Sequence, residues 1–356
     1  MNGGKWSLLR DPELLNCREF HFSRLRSLFQ GESSDRVFVL QGIQGYGKAD
    51  LYSDPELWME EALNDLTEKA DRARDRVVFR PISVNPWPYG VHFIDRIFGA
   101  EVYELDGEKD NWQVKALKTP VGGLQPPDLD KSRTWTLARR LAEAFVDACV
   151  TVPLFAPPVL SSSLNIGLNL YGQELLCAMM SRPEAVYHDL RIINDVISAL
   201  HTWYRETIPP EQLQMVETCG RIQPPGHGQL CGCSCQLISP GQYEDFVAPL
   251  DDEILSLYPN GGMIHLCGSH TQHIAVWRKM RSLRALQLND RAAHDLETYY
   301  NELRDDQVFY VNPCTGMPVD RIMEITGGRR VVIVDNVTEA LPTRSQKQEV
   351  RSQGGP

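Results

Sequence analysis

From about residue 150 onward, short apolar runs rich in β-branched residues alternate with helix-length amphipathic segments. This alternation restricts the chain more than any other feature, because consecutive strands separated by helices form parallel βαβ units. Runs at 150–155, 229–237, 262–266, 284–288, 307–311 and 330–334 give six such strands, and 77–84 adds a seventh. The expected fold is therefore α/β, a (β/α)8 TIM barrel with an N-terminal helical extension. A doubly wound open sheet is the second choice. At 356 residues the chain is long enough for one large α/β domain. The expected organisation is a helical extension over 1–35, a barrel over 36–342 and a polar, disordered tail over 343–356.

Local signals fill in the rest. The apolar residues of 9–30 recur at helical intervals and Gly31 closes the segment. Asp54 and Pro55 read as the N-cap and first residue of a helix running to about Arg74. Residues 101–104 and 112–117 read as a hairpin with Asp106-Gly107 in its loop. Helices are expected over 132–149, 172–180, 182–207 (with Ser181 as its cap), 240–258, 271–281, 291–304 and 317–325. Gly42-Ile43-Gln44-Gly45-Tyr46-Gly47-Lys48 has neither the glycine spacing of a P-loop nor a Ser or Thr after the lysine, and is set aside.

The formal charge of −11 and a pI near 5.3 argue against nucleic-acid binding, which requires a basic surface. The acidity is read as ordinary solubility. The N-terminus lacks the apolar core of a signal peptide, and no apolar run approaches the ~18 residues that span a bilayer. No membrane partner is expected, and the expected location is the cytoplasm. There the nine cysteines would be thiols, thiolates or metal ligands.

Chemistry concentrates in 228–268. His265 and Cys267 are two apart at the end of an apolar run, so an extended chain places both on one face. Upstream, Cys231, Cys233 and Cys235 have the same spacing and, if extended, also share a face. Neighbouring parallel strands would present both sets to one place. Zinc takes Cys sulfur and His nitrogen, and a catalytic site leaves a fourth position open. Packing of the cysteines as small apolar residues is the competing explanation. His270 and His273 are expected to be solvated or to support the ligands from behind. Asp290, at the end of the 284–288 strand, is either a site residue or a helix N-cap.

The stretch Cys235-Gln236-Leu237-Ile238-Ser239-Pro240, with Tyr243, Phe246 and Pro249, and then His265-Leu266-Cys267-Gly268, resembles the uroporphyrinogen decarboxylase superfamily. The His-x-Cys-Gly element resembles its zinc-dependent corrinoid:thiol methyltransferase branch. Thr119-Pro120-Val121-Gly122-Gly123-Leu124, Gly172-Gln173-Glu174-Leu175-Leu176 and Arg182-Pro183-Glu184 agree in order, so the resemblance covers about 76–342. It implies a (β/α)8 barrel with its site at the C-terminal strand ends, and zinc as cofactor. The implied reaction moves a methyl group from a corrinoid-type donor to a zinc-activated thiol. No Asp-x-His-x-x-Gly signature occurs, so a corrinoid would be carried by a separate protein. The partners expected are that protein and a small-molecule substrate.

The decarboxylases' arginine-rich N-terminal motif is missing near 30–50, where Arg36 stands alone. The branch's third zinc ligand is a downstream cysteine, a role for which this chain offers Cys314. The Cys231/Cys233/Cys235 run is the other source. A bulky corrinoid reaches only the rim, so the expected metal set is His265, Cys267 and Cys314. Cys233 and Asp290 are then the expected catalytic residues, with Cys233 facing substrate. A cofactor-free decarboxylase of a carboxylate-rich substrate and a non-catalytic metal- or corrinoid-binding barrel are the alternatives.

Overall fold

The computed structural model describes residues 4–32, 37–105, 111–216 and 219–335. The proposed 343–356 tail and the Asp106-Gly107 turn lie outside them. In chain order the strands are β1 (Phe38–Leu40), β2 (Ile43–Gly45), β3 (Ile82–Val84), β4 (Glu101–Glu104), β5 (Trp112–Lys115), β6 (Leu154–Phe155), β7 (Gly228–Cys231), β8 (Gly262–Leu266), β9 (Leu283–Leu288), β10 (Val308–Val311) and β11 (Val331–Val334). The helices used below are α1 (Pro12–Phe29), α2 (Pro55–Lys69), α3 (Phe93–Ile97), α4 (Arg133–Asp147), α5 (Ser163–Tyr171), α6 (Gln173–Ser181) and α7 (Pro183–Thr207).

Several helix starts follow local chemistry. The Asp54 carboxylate accepts from Leu57 N with Pro55 at the first position of α2, and the Ser132 hydroxyl accepts from Trp135 N at the start of α4. Ser181, expected to cap α7, is instead the last residue of α6, its hydroxyl donating to the Cys177 carbonyl.

Six parallel strands pair in the order β1-β11-β10-β9-β8-β7, three more in the order β2-β3-β6, and β4-β5 is the expected antiparallel hairpin. A parallel bridge from Leu40 to Phe79 links the first two sheets, and another ties Phe155 to Leu213. The fold is thus α/β with parallel sheets, as the alternation requires. Ladder pairing does not close into a ring among the described residues. Between Phe155 and β7 the connection is made by side chains: Gln214 Nε2 donates to the Gln223 carbonyl while Gln214 Oε1 accepts from Gln223 N, and Gln223 Nε2 donates to the Gly228 carbonyl.

The period-two pattern of the strands sorts their side chains into two cores. Phe309, Val311, Val331, Ile333, Ile264 and Leu266 pack with the helices, whereas Val308, Tyr310, Val332, Met263, Ala285 and Phe38 meet on the other face. Phe22, Leu25, Leu28 and Phe29 of α1 belong to this second core. Phe29 lies against His227, just before β7, and its carbonyl accepts from Arg284 at the start of β9. The N-terminal helix therefore seals the end of the inner core where β7 and β9 begin, opposite the strand ends that carry His265 and Cys267.

The outer layer holds one buried acid with a consequence for stability. Asp251 is 1% exposed; it accepts from the Tyr243 hydroxyl at 2.8 Å, which accepts from Trp277 Nε1 at 3.0 Å. Burial pushes the Asp251 carboxyl up to about 7. Because the folded state holds this proton to higher pH than the unfolded chain, the stabilisation is fully present below about pH 4 and is lost as pH rises through about 7. Denaturant midpoints should therefore decline over that window relative to Asp251→Asn, which keeps an acceptor for Tyr243 and cannot ionise. Parallel curves for the two proteins would refute this.

Candidate metal centre

The inner faces of neighbouring strands place Cys231, His265 and Gln287 side by side, because Cys231 pairs with His265 and His265 with Gln287 in register. Parallel neighbours are about 4.8 Å apart, within reach of one ion. The row continues through Tyr310, Val332 and Phe38, which are apolar or aromatic. Half of this layer is thus chemical and half is packing.

His265 is 3% exposed. Its Nδ1 donates to Gln287 Oε1, and Gln287 Nε2 donates to Asn312 Oδ1. An amide oxygen only accepts, so this contact assigns the proton to Nδ1 and leaves Nε2 with its lone pair, the arrangement a metal-binding histidine needs. Nε2 lies 3.0 Å from Cys267 Sγ and 3.4 Å from Arg221 Nη2.

The cysteine run departs from the expected strand. β7 ends at Cys231, Gly232 turns, and Cys233–Leu237 forms a 3-10 helix. A side chain at Gly232 would sit 2.7 Å from Ile264 Cγ2, so the turn rests directly on β8. The turn separates the three cysteines. Cys235 is buried among apolar side chains, whereas Cys233 swings back to place its Sγ 3.4 Å from that of Cys231. The ligand atoms of Cys231, Cys233 and His265 all lie within 4.8 Å of one another. Cys233 also hydrogen-bonds Cys267, so it stands between the two expected pairs.

Polar groups around the thiols fit anionic sulfur. Asn165 Nδ2 donates to Cys231 Sγ at 3.1 Å while its Oδ1 accepts from Ser234 N, and Asn289 Nδ2 approaches Cys267 Sγ at 3.9 Å. The hydrogen bond from the Cys233 thiol is the largest influence on Cys267 and, against burial, lowers the pKa of its thiol. The same contacts to Cys231 and Cys267, with burial, push the Cys233 thiol up. The set therefore contains one thiol of lowered pKa, neighbouring thiols and an imidazole whose Nε2 faces Cys267. These are donors suited to zinc.

His270 and His273 are buried rather than solvated, each 0% exposed. Their Nε2 atoms contact the Cys233 and Cys235 carbonyls at 3.2 and 2.9 Å, clamping the cysteine turn from behind. Cys314 occupies a separate tight turn bridged to Met317, and it lines a cavity of about 430 Å³ with Asp290, Asn312 and Val319. It is not one of the three clustered ligands. Asp290 is exposed, has a φ of 46°, accepts from Asn289 Nδ2 at 3.2 Å, and makes no capping bond. Neither expected role of Asp290 is visible in its contacts. Sequence reasoning missed Asn165, Arg221, Gln287 and Asn312. Gln287 alone carried a signal, as a polar residue alternating with apolar ones in a buried strand.

Gln287→Leu should keep the fold and weaken metal retention roughly 10- to 100-fold, since it removes the group that orients His265. Competition with a chelator of graded strength measures this; unchanged retention would mean that the amide does not orient the ring.

No protein family and no curated protein matches this sequence. The architecture does have a counterpart among solved structures. The fold is similar to that of a methyltransferase from Methanosarcina mazei. The TM-score is 0.59, the match covers 94% of this chain and 98% of the other, and 13% of residues are identical. At that identity the likeness concerns the fold. Among the described residues, no helix is long and apolar enough to cross a membrane.

Proposed function

We propose that this chain is a zinc-dependent methyltransferase of the uroporphyrinogen decarboxylase superfamily, built on a (β/α)8 barrel, that moves a methyl group from a corrinoid-type donor to a thiol. The corrinoid would arrive on a separate protein. The observation that carries the reading is the convergence of Cys231, Cys233 and His265 within 4.8 Å, with His265 held by Gln287. The resemblance of 262–268 and the methyltransferase-like fold support it.

Cys231, Cys233 and His265 would hold the metal, with Cys267 beside them. A bound zinc would supply the positive charge that keeps a substrate thiol as its nucleophilic thiolate. The chain's own part is to present Nε2 through Gln287, to donate to the protein thiolates from Asn165 and Asn289, and to exclude water around a buried imidazole. Full-length protein purified without chelator should contain about one zinc per chain and should transfer methyl from methylcobalamin to 2-mercaptoethanol. Absence of stoichiometric transition metal removes this reading.

One observation favours a second reading. Cys267 Sγ is close enough to His265 Nε2 that all three thiols and the imidazole could bind together. Such a closed four-ligand site is structural, not catalytic. The cobalt-substituted protein separates the two: a spectrum that changes on thiol addition requires an open position.

A further inference from the structure

A second chemical group lies one helical turn from the thiols. α5 carries Asn165 to Cys231, and four residues later carries Asn169 to the carboxylate of Asp95, with Nδ2 donating to Oδ2 at 2.8 Å. Residues four apart share a helix face and are separated by about 6 Å along its axis. The same Asp95 Oδ2 accepts from His92 Nδ1 at 2.7 Å. His92 precedes α3 in the loop that follows β3, and Asp95 lies within α3. One face of a single helix thus joins the candidate metal centre to a histidine–aspartate pair.

The pair has the organisation of a proton acceptor. Asp95 is 0% exposed, and its Oδ1 has no hydrogen-bond partner. A buried carboxylate fixes the His92 tautomer with the proton on Nδ1, leaving Nε2 to accept. Burial raises the Asp95 carboxyl and outweighs the contacts from His92 and Asn169, which pull the other way. β4, α4, α5 and the turn over 90–92 pack against α3. Across these elements, His92 is the only ion-pair partner of Asp95 among the described residues. Arg96, the other charged residue of α3, donates to the Ala100 carbonyl and lies over the Tyr89 ring. A purely structural carboxylate at this depth would gain by using both oxygens. Here one is idle and the other is shared by two donors that lead toward the thiols and the loop.

We propose that His92, held by Asp95 and Asn169, takes the proton from the substrate thiol as that thiol binds the metal centre. The proposal rests on the thiol-acceptor reading above. In the step the S–H bond breaks, its electron pair remains on sulfur, and the proton moves to His92 Nε2. The resulting imidazolium is balanced by the Asp95 carboxylate. No oxidant or further reactant is needed.

The test counts protons rather than turnover. Zinc-loaded full-length protein is titrated with 2-mercaptoethanol at neutral pH by calorimetry, in buffers of different ionisation heat. Wild type should release little net proton, because His92 retains it, whereas zinc-loaded His92→Gln should release about one proton per thiol bound. Asp95→Asn, with the wild-type zinc content, should move the count in the same direction and serves if His92→Gln does not fold. Release of a full proton by wild type, unchanged in the variants, would overturn the role of His92 while leaving thiol binding intact. Failure of wild type to bind the thiol would remove the thiol-acceptor reading, and the proton role with it.

Discussion

Cys233→Ser should strip the protein of most of its metal, and Cys314→Ser should leave metal content at the wild-type level. Cys233 is the thiol common to both halves of the cluster: its ligand atom lies within 4.8 Å of those of Cys231 and His265, and it hydrogen-bonds Cys267. Serine offers a harder, more basic oxygen where zinc prefers thiolate, so affinity should fall by several orders of magnitude. Cys314 sits in the Met317 turn on the wall of a cavity that Asn289 and Asn312 also line, outside the Cys231, Cys233 and His265 cluster. Sequence reasoning favoured Cys314 on the ground that a bulky donor demands a site at the rim; the structure instead gathers thiols around the end of β7. Elemental analysis of both variants, each checked for folding, decides the matter. Retention by Cys233→Ser with loss from Cys314→Ser would restore the rim site.

Asp189→Ala should destabilise the fold by about 3–5 kcal/mol. This carboxylate is 0% exposed and satisfies four donors. Oδ2 accepts from Gly122 N at 2.7 Å and the Tyr171 hydroxyl at 2.6 Å, and Oδ1 accepts from Leu124 N at 3.2 Å and His188 Nδ1 at 2.9 Å. It thereby pins the loop after β5 and the end of α5 to α7. Truncation removes these bonds at once and strands two buried donors, Leu124 N and the Tyr171 hydroxyl, each costing about 1–3 kcal/mol. Gly122 holds a φ of 92°, and a Cβ there would come within 2.8 Å of Ala185, so the loop is fitted closely to α7 at this donor. Equilibrium denaturation measures the loss; a change below about 1 kcal/mol would mean that water replaces the carboxylate. Since α5 carries both Asn165 and Asn169, the same variant should loosen the site.

Elements with strong local chemistry were legible in the sequence. Asp54-Pro55 and Ser132 mark helix starts because their side chains act on backbone three residues away. The pairing of the His265 strand with the cysteine strand was also legible, since alternation of strands and helices leaves consecutive parallel strands as neighbours. The Cys231–Cys235 run misled because alternation at spacing two is the same pattern whether the chain stays extended or turns. What turns it is the close approach of Gly232 to Ile264, a contact between segments over thirty residues apart. α5 was missed for a similar reason. Ser161-Ser162-Ser163 reads as loop, but the Ser162 hydroxyl accepts from Asn165 N to start a helix. Gly167 weakens helix propensity, yet a Cβ there would come within 2.9 Å of Leu190. The missing atom is what allows α5 to lie close against α7.

β7 ends the six-stranded sheet, and on its open side no ladder forms among the described residues; side-chain bonds from Gln214 to the Gln223 backbone, from Gln223 to Gly228 and from Asn165 to Cys231 stand in for one. Its other side is held by β8 throughout. The donors of the candidate centre are therefore anchored unequally. His265 belongs to the sheet interior, while Cys231 and Cys233 hang from a border strand beside a seam. An ion bound between them would fasten the border strand and its following turn to β8 where the ladder stops, with bonds the backbone does not supply. Filling the centre and steadying the border strand become one event, and amide exchange in 219–231 should slow more on metal loading than exchange in β9 or β10.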